Sequence, residues 1–182
     1  MKFQRMLFGL WLVSCSAWAS ANCPELFQHD FRKLHSSENM NLCETVANAK
    51  AVLVVSTASH CGFTGQFKGL EALHQQYSDR GLVVVGLPSN DFRQESKDES
   101  KTAEVCYLNY GVTFAMTAPV SVVGKSVHPL FHELAQASRE PGWNFNKYLI
   151  DPDSQAVRHF GSMKRPGSSA ITGAIEALLT NR

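Results

Sequence analysis

The stretch AVLVVSTASHCGFTGQFKGLEALHQQY, residues 51–77, predicts a buried strand, a turn and a helix in succession. Its first five residues are apolar and rich in the β-branched types that suit a buried strand. A small polar turn follows, and beyond it apolar residues recur at helical spacing, namely Phe67, Leu70, Leu73 and Tyr77. Cys61 therefore lies where a buried strand passes into a helix.

This placement of Cys61 favours a reactive thiol. Free backbone N–H groups and the positive end of the helix dipole stabilise anions near a helix N-terminus. A thiol in that position loses its proton more easily. The alternative is that Cys61 is a small apolar residue that fills the end of the strand.

The order of the predicted elements indicates the fold. A second apolar run at 82–87 follows the helix, and two such runs joined by a helix form a βαβ unit with parallel strands. The polar stretch 89–101 predicts a surface loop, and a short helix is expected around Cys106. The other predicted elements are a hairpin or irregular segment within 22–50, a short strand near 116–123, a helix over 128–136, a hairpin of 147–150 with 156–160, and a last helix over about 169–179. Together they are typical of an α/β, thioredoxin-like fold, a mixed β-sheet flanked by helices.

The first residues have the pattern of a secretory signal peptide. Lys2 and Arg5 precede a short apolar run at 6–13, and small residues follow at alternate positions. The run is too short for a membrane span, which needs about 20 apolar residues. We therefore predict a signal peptide over 1–21 and a single domain over 22–182 of an exported protein, periplasmic or secreted.

A bacterial lipoprotein is the alternative for this N-terminus. Leu12–Cys15 resembles a lipobox, in which Cys15 would become lipidated and N-terminal. That interpretation shortens the apolar core further and leaves the small-residue cleavage pattern without a role.

Length, composition and charge suit one globular domain. The chain has 182 residues, of which 44% are hydrophobic and 18% are charged, enough to bury a sizeable core. The net charge is +1, and it becomes −1 when Lys2 and Arg5 are removed. This balance does not indicate a nucleic-acid partner.

Export would leave four cysteines, which are Cys23, Cys43, Cys61 and Cys106. Oxidising compartments permit structural disulfides. Cys23 and Cys43 both precede the first core strand, so we expect a bridge between them that pins the mature N-terminus. Such a bridge requires their Cα atoms to lie within about 7 Å of each other.

Three segments, in chain order, resemble the motifs of the glutathione peroxidase family. Residues 58–64 (ASHCGFT) are similar to its nucleophile motif, with cysteine where some members carry selenocysteine. Residues 87–95 (LPSNDFRQE) and 143–145 (WNF) are similar to the second and third motifs. The resemblance extends from about Phe31 to the C-terminus. It implies a peroxidase that reduces hydrogen peroxide and organic or lipid hydroperoxides.

The resemblance implies a catalytic site composed of Cys61, Gln94, Trp143 and Asn144. A Cys61 thiolate would attack one peroxide oxygen and become a sulfenic acid. The side-chain N–H groups of the other three residues would donate hydrogen bonds to the anions of the reaction. Core packing is the alternative role for Trp143, and an ordinary polar loop residue is the alternative for Gln94.

The segment 105–114 resembles the part of thiol-dependent members that holds a resolving cysteine. Cys106 would then form a disulfide with oxidised Cys61, and a reductant would open it. Closing that bond should require local unwinding of the helix. The alternative is that Cys106 is a buried apolar residue.

No cofactor is implied beyond a thiol co-substrate, either glutathione or a thioredoxin-like protein. The identity of this electron donor stays open because thioredoxin is usually scarce outside the cytoplasm.

The chain departs from the family pattern near Gln94 and in one connection. Ser96 stands where the family usually has proline, and Ser89 replaces a frequent cysteine. These changes leave the four catalytic positions intact. The connection 136–143 lacks the insertion that family tetramers use for assembly, so we expect a monomer with an open site.

Other functions fit parts of the sequence less well. His128 and His132 could bind zinc if a third ligand converged, but Pro129 lies between them and no nearby Cys or Asp completes a set. A general thiol–disulfide oxidoreductase would need Cys-x-x-Cys, which Cys61 does not begin. A non-catalytic binding module of thioredoxin fold is the remaining alternative. We expect no metal, no nucleic-acid partner and no stable membrane insertion.

Overall fold

A five-stranded sheet forms the centre of the protein, whose structure is a computed structural model that describes residues 23–180. In chain order the strands and helices are β1 (Asp30–Arg32), β2 (Asn39–Asn41), α1 (Leu42–Thr45), β3 (Ala51–Thr57), α2 (Gln66–Tyr77), β4 (Leu82–Pro88), α3 (Glu99–Ala103), β5 (Ala115–Met116), α4 (Pro129–Ala137), β6 (Lys147–Ile150), β7 (Val157–Phe160) and α5 (Ser169–Thr180). The predicted signal peptide and Cys15 lie outside the described residues.

The sheet is mixed, as the sequence predicts. Its strand order is β5-β4-β3-β6-β7. Strand β3 pairs in parallel with β4, which pairs in parallel with β5. On the other side β3 pairs antiparallel with β6, and β6 pairs antiparallel with β7 as the predicted hairpin. The strand that leads to Cys61 is therefore the central one.

Strand β3 is buried throughout because both of its faces are covered, and its first five residues are apolar. All seven of its residues are buried. Leu53 and Val55 pack in one apolar cluster with helices α2 and α5, whereas Val52 and Val54 pack in a second cluster with α4 and the N-terminal hairpin. A strand buried on both faces reads as a continuous apolar run rather than an alternating one.

The predicted surface loop at 89–101 differs from the structure. Ser89 is fully buried and Glu95 is only 6% exposed, so the prediction is wrong at these two positions. Helix α3 also begins inside this stretch, at Glu99. Its N-cap is Asp98, whose side chain accepts the backbone N–H of Ser100 at 3.0 Å.

Helix α3 continues into a π-helical segment, Glu104–Asn109, which contains Cys106. The helix predicted around Cys106 is confirmed, but nothing in the sequence indicates that its turn is the wider, π-helical one. Single π-helical turns inside helices occur frequently at functional sites. Within residues 23–180, no helix is both long enough and apolar enough to cross a membrane.

Candidate active site

Cys61 lies in the turn between β3 and α2. Its side chain belongs to the apolar cluster on the α2 face, and the residue is 5% exposed. The backbone N–H of Phe63 points to the Cys61 sulfur, at 3.5 Å. A backbone N–H in this position can donate a hydrogen bond to the sulfur.

The relation of Cys61 to helix α2 is looser than the sequence predicts. The helix begins at Gln66, so Cys61 precedes its first turn. The effect of a helix dipole falls off within one turn. The Phe63 amide is therefore the closer source of positive potential.

Gln94 approaches this turn from the loop after β4. Its backbone carbonyl accepts a hydrogen bond from the N–H of His60 at 2.9 Å. Its side-chain Oε1 accepts a hydrogen bond from Asn144 Nδ2 at 3.2 Å. The loop is thus joined both to the neighbour of Cys61 and to the segment before β6.

Asn144 is fully buried at the start of the segment that leads into β6. The next residue, Phe145, has a φ of 59°, an unusual value for a bulky side chain. Its N–H donates to the Ser56 carbonyl near the end of β3 at 2.6 Å. Strained backbone of this kind is typical of functional sites, and here it fixes Asn144 beside the end of the Cys61 strand.

Trp143 lies at the surface of the same segment. Its ring is 39% exposed and packs against Phe92, with 5.2 Å between ring centroids. Core packing, the alternative role for this residue, does not describe a side chain with that exposure. Phe92 belongs to the loop that carries Gln94, so Trp143 contacts that loop from the outside.

Glu95 is a residue of the site to which sequence reasoning gave no role. Its carboxylate accepts hydrogen bonds from the Ser59 N–H at 3.0 Å and from the Ser59 hydroxyl. It also accepts the Ser96 N–H at 2.7 Å, a contact that a proline at position 96 could not make. Ser59 and Glu95 both lie inside the quoted motifs, which is the signal that could have identified them.

A cleft of about 710 Å³ opens beside the turn. One wall is Gly62, Phe63 and Gln66, and the other is the loop after β7, which includes Met163 and Arg165. No sequence pattern indicates this second wall, because its residues are distant from the turn along the chain and meet it only in the folded protein.

The loop after β7 is held by buried polar groups. Ser162 donates its hydroxyl to the Asn144 carbonyl at 2.6 Å. The amine of Lys147, a fully buried residue, donates to the Lys164 carbonyl at 2.7 Å. The cleft wall is therefore fastened to the segment that carries Asn144.

Cys106 lies deeper than Cys61. It is 1% exposed and belongs to the same apolar cluster. Burial and, to a smaller degree, the charge of Glu95 raise the pKa of the Cys106 thiol to about 12. In this conformation the thiol is protonated and does not act as a nucleophile.

Cys23, Cys43, His128 and His132 have their contacts outside this site. Cys23 and Cys43 are paired through their sulfur atoms, with their Cα atoms 6.0 Å apart, inside the range of a disulfide. His128 Nδ1 accepts the N–H of Leu130 at the start of α4, and His132 contacts Gln136. Over residues 23–180, no three His, Cys, Asp or Glu side chains gather into a possible metal site.

A family model described as glutathione peroxidase matches residues 28–135. The chain belongs to the glutathione peroxidase family. It is 43% identical over 123 residues to a glutathione peroxidase-like peroxiredoxin of Schizosaccharomyces pombe, covering 64% of this chain and 78% of the relative. It is 46% identical over 127 residues to a glutathione peroxidase-like peroxiredoxin of Chlamydomonas reinhardtii, covering 66% of this chain and 78% of the relative.

Comparison with solved structures agrees with this family match. The structure matches the crystal structure described as Trgpx in apo form with a TM-score of 0.63 and 28% identity, covering 86% of this chain and 97% of that chain. The predicted thioredoxin-like fold is confirmed. Family membership makes the chain a thiol-dependent peroxidase, an oxidoreductase whose substrates are a peroxide and a thiol reductant. The alternatives of a binding module and of a general thiol–disulfide oxidoreductase are less well supported.

Proposed function

We propose that Cys61 is the nucleophile of this glutathione peroxidase and that Gln94, Trp143 and Asn144 are its hydrogen-bond donors. The Cys61 thiolate attacks one oxygen of a hydroperoxide and the O–O bond breaks. The sulfur becomes a sulfenic acid, and the other oxygen leaves with a proton as water or an alcohol. The substrates are hydrogen peroxide and organic or lipid hydroperoxides.

The contact between Gln94 and Asn144 carries this proposal. Because Gln94 Oε1 accepts from Asn144, the amide nitrogen of Gln94 is left to donate. No other hydrogen bond engages that nitrogen within the described part of the chain. The Gln94 carbonyl accepts the N–H of His60, and the N–H of Phe145, the residue after Asn144, donates to the Ser56 carbonyl, so both segments are attached to the backbone around Cys61. Neutral, pre-positioned donors of this kind stabilise the charges of a thiolate and a leaving oxyanion.

We propose that Cys106 resolves the oxidised enzyme. Its thiol attacks the Cys61 sulfenic acid, a disulfide forms and water leaves. A reductant then supplies two electrons and two protons to restore both thiols. Glutathione and a thioredoxin-like protein are the two candidate reductants.

We further propose that the protein is an exported monomer with a Cys23–Cys43 disulfide. The pairing of these cysteines at 6.0 Å between Cα atoms supports an oxidising compartment, where such bonds persist. The short connection between α4 and β6 supports a monomer. Lipidation at Cys15 would instead tether the domain to a membrane surface.

A steady-state assay tests the proposed activity and its donor. The mature protein is supplied with hydrogen peroxide or a lipid hydroperoxide, each with glutathione and each with a thioredoxin system. Sustained peroxide loss with at least one donor is expected. Peroxide loss no faster than in the absence of protein, with every donor, would overturn the proposal and favour the binding module.

A second measurement tests the compartment and assembly. Non-reducing peptide mass spectrometry of protein secreted by its own leader should show a bridged Cys23–Cys43 peptide and a mature N-terminus after residue 21. Light scattering should give the mass of one chain. Protein retained in the cytoplasm with free thiols at both positions would contradict export.

A further inference from the structure

The carboxylate of Glu95 is buried but has no cationic partner. The residue is 6% exposed, and no lysine or arginine between residues 23 and 180 forms an ion pair with it. Burying a lone carboxylate is costly unless hydrogen bonds replace its water. Glu95 accepts from two N–H and two hydroxyl donors, which belong to Ser59, Ser96 and Thr102.

These donors come from three separate segments of the site. Ser59 lies two residues before Cys61 in the turn after β3. Ser96 belongs to the loop that carries Gln94. Thr102 is a residue of α3, is 1% exposed and donates its hydroxyl to Glu95 Oε1 at 2.6 Å. A single side chain therefore joins both proposed cysteine segments to the Gln94 loop.

Thr102 lies about one helical turn before Cys106. The helix between them changes to π-helical geometry at Glu104. Beyond Cys106 the helix is largely exposed, with Tyr107 at 38% and Leu108 at 79%. Thr102 is thus a buried polar contact of this helix, beside the apolar contacts that Ala103 and Cys106 make in the core.

We propose that Glu95 is a positioning residue that holds the Cys61 turn and the Cys106 helix together, and that release of its Thr102 contact is part of the step in which Cys106 reaches Cys61. This inference depends on the proposed resolving role of Cys106. The charge of Glu95 also contributes to the raised pKa of the Cys106 thiol. Movement of Cys106 away from Glu95, as the helix unwinds, would remove that contribution to the pKa.

The contacts of Glu95 with Thr102 and with Ser59 predict different kinetic defects when each is removed. Loss of the Thr102 hydroxyl leaves Ser59 and Ser96 on the carboxylate, so the turn stays in place while the helix is freed. Loss of the Ser59 hydroxyl leaves the helix attached and loosens the turn. Thr102→Val and Ser59→Ala therefore separate the two halves of the catalytic cycle.

Rapid-quench single turnovers with hydrogen peroxide measure two steps, the formation of the Cys61 sulfenic acid and the closure of the Cys61–Cys106 disulfide. Trapping the sulfenic acid with a dione reagent gives the rate constant of its formation, and counting free thiols after acid quench gives that of disulfide closure. Thr102→Val should close the disulfide about tenfold faster, the factor expected for loss of one hydrogen bond to a charged group, with sulfenic acid formation unchanged. Ser59→Ala should slow sulfenic acid formation and leave closure unchanged.

Thr102→Ser is the matched control, because it keeps the hydroxyl and should close the disulfide at the wild-type rate. Hydrogen exchange at the amides of 105–107 supplies an independent readout, which should be faster in Thr102→Val and not in Thr102→Ser. Two results would overturn the role of Glu95 and leave the resolving role of Cys106 intact. One is a wild-type closure rate in folded Thr102→Val, and the other is faster closure in both Thr102→Val and Thr102→Ser. Absence of any Cys61–Cys106 disulfide in the wild-type protein would overturn the resolving role of Cys106 and this inference with it.

Discussion

The two thiols of the domain are both buried, yet their surroundings differ. Cys61 lies on a turn at the end of the central strand, with a backbone N–H directed at its sulfur, and the next two residues of that turn, Gly62 and Phe63, line a cleft. Cys106 lies on a π-helical segment in the apolar core, and its pKa is raised to about 12. The two thiols therefore differ in their local surroundings rather than in their burial.

Replacing each thiol by serine is the strongest test of this comparison. Cys61→Ser should reduce peroxide no faster than buffer does, because the attacking sulfur is gone. Cys106→Ser should complete a single turnover and then stop when a thioredoxin system is the donor. The two quantities to measure are peroxide consumed per protein in a single turnover and the steady-state rate. Undiminished steady-state turnover of Cys106→Ser with thioredoxin would contradict its resolving role.

Removing the proposed donor Gln94 should have the next largest effect. Gln94→Ala should lower the second-order rate constant for peroxide by about 10²–10³, the usual cost of losing one donor to a developing charge. The measurement is sulfenic acid formation in single turnovers. Gln76→Ala, at an exposed position on α2, is the matched control and should react at the wild-type rate. A Gln94→Ala rate equal to that of this control would remove Gln94 from the site.

The protonation of Cys106 predicts a pH dependence of stability. Because the folded pKa is raised from 9.0 to about 12, the folded protein holds this proton more tightly than the unfolded chain. The stability that this bound proton contributes is fully present below about pH 9. It is lost as the pH rises toward about 12, by about 1.4 kcal/mol per pH unit.

Urea denaturation of two variants isolates this contribution. Cys61→Ser supplies a background that cannot form the catalytic disulfide, and Cys61→Ser/Cys106→Ala removes the titrating thiol. The difference between their free energies of unfolding should shrink as the pH rises from 9 to 10.5 by about 2 kcal/mol. A difference that does not change with pH would mean that the Cys106 thiol is solvated in the folded protein.

The smallest effect is expected at a direct contact between the two regions. The Tyr110 hydroxyl, just beyond the π-helical segment, donates to Thr64 Oγ1 in the Cys61 turn at 3.4 Å. Because this bond is long and partly exposed, Tyr110→Phe should cost less than about 1 kcal/mol of stability. Thermal and urea unfolding measure it, and Phe67→Ala, which removes a core side chain in contact with the same ring, gives the scale of a large loss.

The fold was largely predictable because its core strands and helices have strong local patterns. The β3–α2–β4 unit and the β6–β7 hairpin follow from apolar runs and helical spacing. The π-helical turn around Cys106 was not predictable, since the sequence carries no distinct period for it. The left-handed backbone of Phe145 was missed for a related reason, because a bulky residue rarely adopts it.

The site was predictable only through the resemblance of three motifs. The contact of Gln94 with Asn144 joins residues 50 positions apart, and no local pattern reports such a pairing. Polarity predicts a surface loop at Glu95 and Ser89, although their polar groups are buried and hydrogen-bonded within the protein. Polarity predicts exposure only where no partner from a distant segment replaces water.

The position of Trp143 has a practical consequence. The chain has three tryptophans, and the other two, Trp11 and Trp18, fall within the predicted leader. A processed protein would therefore carry one indole fluorophore, partly exposed and packed against Phe92 of the loop that carries Gln94. Its emission would report any rearrangement of that loop, in real time and without any added dye.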